Sequence, residues 1–144
     1  MRTDTPKTIY LKDYTAPLYL VDSVYLDIRI HAGRTEVTAK TKFRKNHEGQ
    51  EDLVLNGEDM VLRAVKVNGT PAEFSVDEKF LTLKYPGDTF ELETIVEIVP
   101  EKNTSLEGLY QSGGTYCTQC ESEGFRKITY FPDRPDVMTI FTVR

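Results

Sequence analysis

A chain of 144 residues, 39% hydrophobic and 28% charged, has the make-up of a single globular domain with a real core, which excludes wholesale disorder. Its formal charge of −5 argues against a nucleic-acid-binding domain, whose binding face is normally basic. Arg63, Lys66, Lys79 and Lys84 lie dispersed among acids and read as a solvated mixed surface.

At the N-terminus, "MRTDTPKTIYLKDY" lacks the hydrophobic region of a secretory signal. No apolar run approaches the roughly 18 to 20 residues that cross a bilayer, so neither a membrane nor a nucleic acid is an expected partner. Two cysteines are too few for a disulfide scaffold, and the expected location is cytoplasmic. With that address, the Asn-x-Ser/Thr matches at Asn68 and Asn103 carry no expectation of glycosylation.

The first clear element is "VYLDIRI", where Val24, Leu26, Ile28 and Ile30 share one face and Tyr25, Asp27 and Arg29 the other. After a turn at "HAGR", "TEVTAKTKF" resumes with Val37, Ala39, Thr41 and Phe43 on one face, predicting a hairpin. In "LRAVKVNGTPAEFSV", Asn68 and Gly69 sit between two strand-like runs, a strong hairpin signal. "KFLTLKY" and "TFELETIVEIV" follow, separated by Pro86 and Gly87; in the second, Phe90, Leu92, Thr94, Val96 and Ile98 form the core face. "QSGG" reads as a flexible turn, and "DVMTIFTVR" as a strand running straight to Arg144. No segment carries a sustained helical stripe with caps. The expected fold is all-β: an antiparallel β-sandwich or a curved, saddle-like sheet, with residues 1–144 as one β-rich domain.

The densest chemistry lies in "YCTQCESEGFRK". Cys117 and Cys120 stand at Cys-x-x-Cys spacing, but structural zinc needs four ligands, and His31 and His47 lie far upstream and unpaired. A redox pair is usually found at a helix N-terminus, whereas the surroundings here are strand and loop. Reduced, structurally placed thiols are the expectation. No nucleophile elbow, H-E-x-x-H, Walker loop or dinucleotide fingerprint is present. Glu121 and Glu123 are two apart and would face the same side of an extended chain. Such a pair can receive a cation, although two solvent-facing acids are the commoner meaning.

Three runs, "LKDYTAPLY", "LNGEDM" and "TSLEGLYQSGGTYCTQCESEGFRKITYFPDRPDV", together resemble the start of the bacterial aminopeptidase N family, within the gluzincin zinc metallo-aminopeptidases. The resemblance spans essentially the whole chain. It implies a β-rich N-terminal domain packed on a thermolysin-like catalytic domain that holds zinc through H-E-x-x-H and a downstream Glu. That motif and the family's G-A-M-E-N segment do not occur in these 144 residues. The chain is therefore expected to be truncated from a longer enzyme, with zinc in the parent's catalytic domain, none bound here, and no activity of its own.

The family's Thr-Gln-x-Glu stretch corresponds to Thr118-Gln119-Cys120-Glu121. The resemblance assigns Glu121 to the free α-amino group of a peptide substrate and Gln119 to the pocket for its first side chain. No catalytic residue is expected here, Glu123 keeps a surface reading, and Arg126 and Asp133 are expected to pair as scaffold. The alternative is a free-standing, non-enzymatic β-sandwich binding module.

Overall fold

Alternation decides which face each strand buries. The computed structural model describes Thr8 and residues 10–144. The N-terminal reading of residues 1–14 therefore falls largely on positions 1–7 and 9, outside the described residues. In chain order the strands are β1 (Tyr19–His31), β2 (Arg34–Lys45), β3 (Leu53–Asn56), β4 (Val61–Val67), β5 (Thr70–Pro71), β6 (Ser75–Val76), β7 (Phe80–Leu83), β8 (Thr89–Ile98), β9 (Gly108–Ser112), β10 (Thr115–Gln119) and β11 (Ile140–Val143). Helical structure among the described residues is limited to short 3-10 turns at Leu11–Asp13, Pro100–Lys102 and Phe125–Lys127.

The β1–β2 hairpin forms as expected, with Leu26 opposite Ala39 and Val24 opposite Thr41. β8 pairs antiparallel with β2, setting Phe90 beside Phe43 and Val96 beside Val37, and the two phenyl rings stack at 5.2 Å. β4 follows β8, and β5 turns back through Asn68 and Gly69. The six-stranded sheet thus runs β11-β1-β2-β8-β4-β5. A three-stranded sheet, β3-β7-β6, supplies the opposite wall. One hydrophobic cluster joins them, taking Val37, Phe43, Phe90 and Val96 from the large sheet and Leu55 and Leu81 from the small one. This is the expected all-β sandwich. All five residues of the face from Phe90 to Ile98 are buried, including Thr94, whose hydroxyl lies 3.3 Å from that of Thr129.

Two features depart from simple hairpin reading. Pro86 and Gly87 do not close a hairpin: β7 belongs to the small sheet and β8 to the large one, so the segment crosses between layers. β11 joins β1 in parallel, which makes the large sheet mixed, not purely antiparallel. A tight turn can only produce antiparallel neighbours, whereas β11 reaches β1 after a long excursion that leaves its direction free.

The outer face of the large sheet is a lattice of ion pairs. Glu93 on β8 receives Lys66 at 2.7 Å and Lys40 at 3.3 Å, and Glu97 receives Arg34 at 3.3 Å and also Arg63. Of the dispersed cations of the sequence, Arg63 and Lys66 are spent on this face, whereas Lys79 and Lys84 flank β7 of the small sheet. His47 packs edge-on against Tyr19, and His31 is exposed at the end of β1.

Candidate functional site

The β9–β10 hairpin carries the segment that the sequence singled out. Its turn is Gly113 and Gly114, both in the left-handed region that glycine adopts without steric cost. Pairing runs from Thr115 opposite Ser112 to Gln119 opposite Gly108, so Gln119 is the last residue that the ladder holds. On β10 the Tyr116 hydroxyl donates to Glu101 Oε1 at 2.8 Å, and the same oxygen accepts from the Gly33 amide at 3.3 Å. That contact fastens β10 to the β1–β2 turn.

Beyond Gln119 the chain folds back on itself. The Gly124 amide donates to the Cys120 carbonyl at 2.8 Å, closing a turn over residues 120–124. The peptide bond between Glu121 and Ser122 is cis. Gly124 is buried, and a Cβ built there would lie 2.4 Å from the Gln119 carbonyl and 3.0 Å from the Gly108 amide nitrogen. Only glycine lets the returning chain approach the hairpin so closely.

Within this turn Glu121 and Gln119 are both exposed, and the Gln119 carboxamide donates to the Glu121 carbonyl at 3.0 Å. The structure therefore brings the two residues together at the open end of the hairpin. Glu121 and Glu123 do not share a face, because the segment is a turn and not an extended strand. Glu123 is half-buried and reaches back to Arg126 at 3.5 Å, which corrects its reading as a plain surface acid.

Arg126, its side chain largely buried, is the hub behind the turn. Its Nε and its backbone amide both donate to Asp133 Oδ2 at 3.0 Å, and its Nη2 donates to the Asp133 carbonyl at 3.1 Å. The expected Arg126–Asp133 pair is present. Glu58, at 3.8 Å from Nη1, joins it from the β3–β4 connection, and Asp133 is itself held by Asn56 at the end of β3. Lys127, next in the chain, pairs with Glu58 and Asp59. Sequence reasoning passed over Glu58 and gave Glu123 a surface reading; the i,i+3 spacing of Glu123 and Arg126 was the local signal for their contact.

Cys117 and Cys120 are free thiols. Burial, with Asp133 nearby, pushes the Cys120 thiol above its ordinary value, which keeps it protonated and a poor metal ligand or nucleophile. Among the described residues no group of three or more His, Cys, Asp or Glu side chains converges, so these residues do not fit a zinc site. A cavity of about 550 Å³ has Ile98, Pro100, Leu109 and Lys127 among its walls, but neither Gln119 nor Glu121 borders it.

Fold and site together define an all-β domain that presents a clamped polar turn at one end. The chain belongs to the Peptidase M1 N-terminal domain family, whose pattern matches residues 17–144. It is 46% identical over 147 residues to aminopeptidase N of Caulobacter vibrioides, covering 100% of this chain and 17% of that protein. Against aminopeptidase N of Escherichia coli it is 43% identical over 143 residues, covering 99% of this chain and 16% of the other. Among solved structures, Legionella pneumophila aminopeptidase A in complex with aspartic acid superposes with a TM-score of 0.84 at 30% identity, over 92% of this chain and 16% of that one. An M1 zinc metallopeptidase of Deinococcus radiodurans, bound to a Tyr-Ser-Ala substrate, shares the fold with a TM-score of 0.74 at 19% identity, over 87% of this chain and 31% of that one. The chain thus spans only 16% to 17% of the length of these curated relatives.

Proposed function

We propose that this chain is the N-terminal domain, residues 1–144, of a longer zinc aminopeptidase that removes N-terminal residues from peptides, and that the turn after β10 supplies recognition of the substrate amine. On this reading Glu121 accepts the α-ammonium group and Gln119 borders the pocket for the first side chain. The observation that carries it is the placement of Glu121 as an exposed carboxylate on a turn closed by the Gly124–Cys120 hydrogen bond, beside the Gln119 carboxamide. A terminal ammonium offers three donors and a full charge, and an anionic acceptor held at a fixed place measures where the peptide begins. Family membership and the peptide or amino-acid ligands of the structural neighbours support the reading.

Zinc, on this proposal, is held by residues outside this chain, in the catalytic domain that is also its partner. The contribution of these residues is confined to binding and orienting. Cytoplasmic placement is part of the proposal, in keeping with two thiols left unpaired.

The test is Glu121→Ala in the full-length enzyme. Losing a charged hydrogen-bond acceptor for the ammonium should raise KM and lower kcat/KM roughly 10- to 100-fold. An unchanged kcat/KM would remove Glu121 from amine recognition.

A further inference from the structure

The turn that presents Glu121 contains a second carboxylate, Glu123, only two residues on. If both pointed outward, the site would offer two competing acceptors. The structure separates them. Glu123, its side chain still 39% exposed, pairs with the guanidinium of Arg126 at 3.5 Å, while Glu121 is exposed.

We propose that Arg126 is a positioning residue for amine recognition: it pairs with Glu123 and holds the turn so that Glu121 is presented as the acceptor. This rests on the reading of Glu121 as the amine acceptor. Three features of the geometry carry it. The guanidinium is spread over three separate parts of the chain, with Asp133 on one edge, Glu58 on another and Glu123 toward the turn. Its backbone is fixed independently, the amide to Asp133 Oδ2 and the carbonyl accepting the Glu58 amide at 2.9 Å. The anchor itself does not float, because the Asp133 amide donates to Asn56 Oδ1 at 3.2 Å and the backbones of Asn56 and Phe131 exchange hydrogen bonds. A continuous path therefore runs from β3 through Asp133, Arg126 and Glu123 to the residue beside Glu121.

Lysine could not take this place. An ammonium is a point charge without the planar fork that contacts Asp133 twice and still reaches Glu123 and Glu58. Lys127, the neighbouring cation, is already committed to Glu58 and Asp59.

The experiment is a double-mutant cycle in the full-length enzyme, crossing Arg126→Met with Glu121→Gln and reading KM and kcat separately. Misplacing the acceptor should lower kcat/KM roughly tenfold, mostly through KM, in the parent background. In the Glu121→Gln background the same change should cost less than about twofold, because the group through which Arg126 acts is already gone. Equal losses in both backgrounds would show a general structural role and overturn the proposal. Should Arg126→Met fail to fold, Glu123→Gln, at the rim of the cluster, weakens the link between Arg126 and the turn. It should lower kcat/KM a few-fold in the parent and not in Glu121→Gln, and no effect in the parent would overturn the proposal. Arg126→Lys should resemble Arg126→Met, and full activity with lysine would reject the role of the fork. An unimpaired Glu121→Gln would instead remove the amine site itself, and with it anything for Arg126 to position.

Discussion

At Gly124 the returning chain lies against the hairpin that it left five residues earlier. An alanine there would place its Cβ 2.4 Å from the Gln119 carbonyl, which is backbone and cannot swing aside. The turn would have to open, and Gln119 and Glu121 would move with it. Gly124→Ala is therefore expected to destabilise the fold by about 2 kcal/mol, from overpacking, and to lower kcat/KM of the full-length enzyme by more than this stability loss explains. Denaturant midpoints measured beside Michaelis parameters check both halves; unchanged kinetics would mean that the turn tolerates displacement. Gln119 and Glu121 were legible in the sequence only through the Thr-Gln-x-Glu resemblance, since spacing alone left Glu121 and Glu123 equivalent. What separated them is a turn geometry that places one outward and the other on Arg126. That geometry depends on contacts with Gly108 and Asp133, and no periodicity in the local sequence encodes those.

Elements with two well-defined faces were legible from alternation alone: β1, β2 and β8 bury the residues that period-2 reading assigns, except where β1 leaves the core, with Ile28 half-buried and Ile30 exposed. The joining of β7 and β8 across layers and the parallel docking of β11 were not, because neither partner is adjacent in sequence. β11 is exposed along its length, yet Phe141 from it packs against Phe125 at 5.5 Å and Phe131 at 6.1 Å between ring centroids. Phe125 opens the 3-10 turn that immediately follows the Glu121 turn, so β11 braces the segment that carries Glu121. Because Phe141 is half exposed, Phe141→Ala should cost less than a core truncation, about 1 to 2 kcal/mol. Thermal unfolding measures this. A loss no larger than that of Ile140→Ala, which removes a more exposed apolar side chain from the same strand, would show that the ring cluster contributes nothing special.

Across the whole molecule, compensated ion pairs cover the outer sheet face and recur at Lys45–Asp88 and Arg134–Asp136, whereas Glu121 stands exposed on the clamped turn. Hydrogen bonds hold several carboxyls below their ordinary range: Glu93 through Lys66, Glu97 through Arg63, Asp88 through Lys45 and Asp136 through Arg134. A carboxyl with a depressed folded-state pKa contributes stability above its unfolded value and loses it as pH falls through the folded one. The melting temperature should therefore be flat near neutrality and decline as pH falls below the ordinary carboxylate range of about 4 to 4.5. Glu93→Gln and Glu97→Gln should flatten that decline, each lowering the neutral-pH melting temperature by no more than about 3 °C, because exposed pairs contribute little. A decline of the same depth in the double variant would place the acid sensitivity elsewhere. Glu121 faces the opposite situation, exposed to water and with no ion pair among the described residues. An ion pair at 4 Å is worth about 1 kcal/mol in bulk water and about 4 kcal/mol where the effective dielectric constant falls to 20. The first figure falls well short of the roughly 4 kcal/mol that millimolar binding requires. On the proposed reading, amine recognition thus needs a second wall that excludes water over Glu121. The 144-residue chain alone should show no saturable shift of its Gln119 and Glu121 amide resonances with a dipeptide amide up to about 10 mM, and no turnover of an amino-acid anilide. Protected amides in the β1–β2 hairpin would verify that the chain is folded during the titration. Sub-millimolar binding by the isolated chain would show that Glu121 needs no covering domain to hold an ammonium.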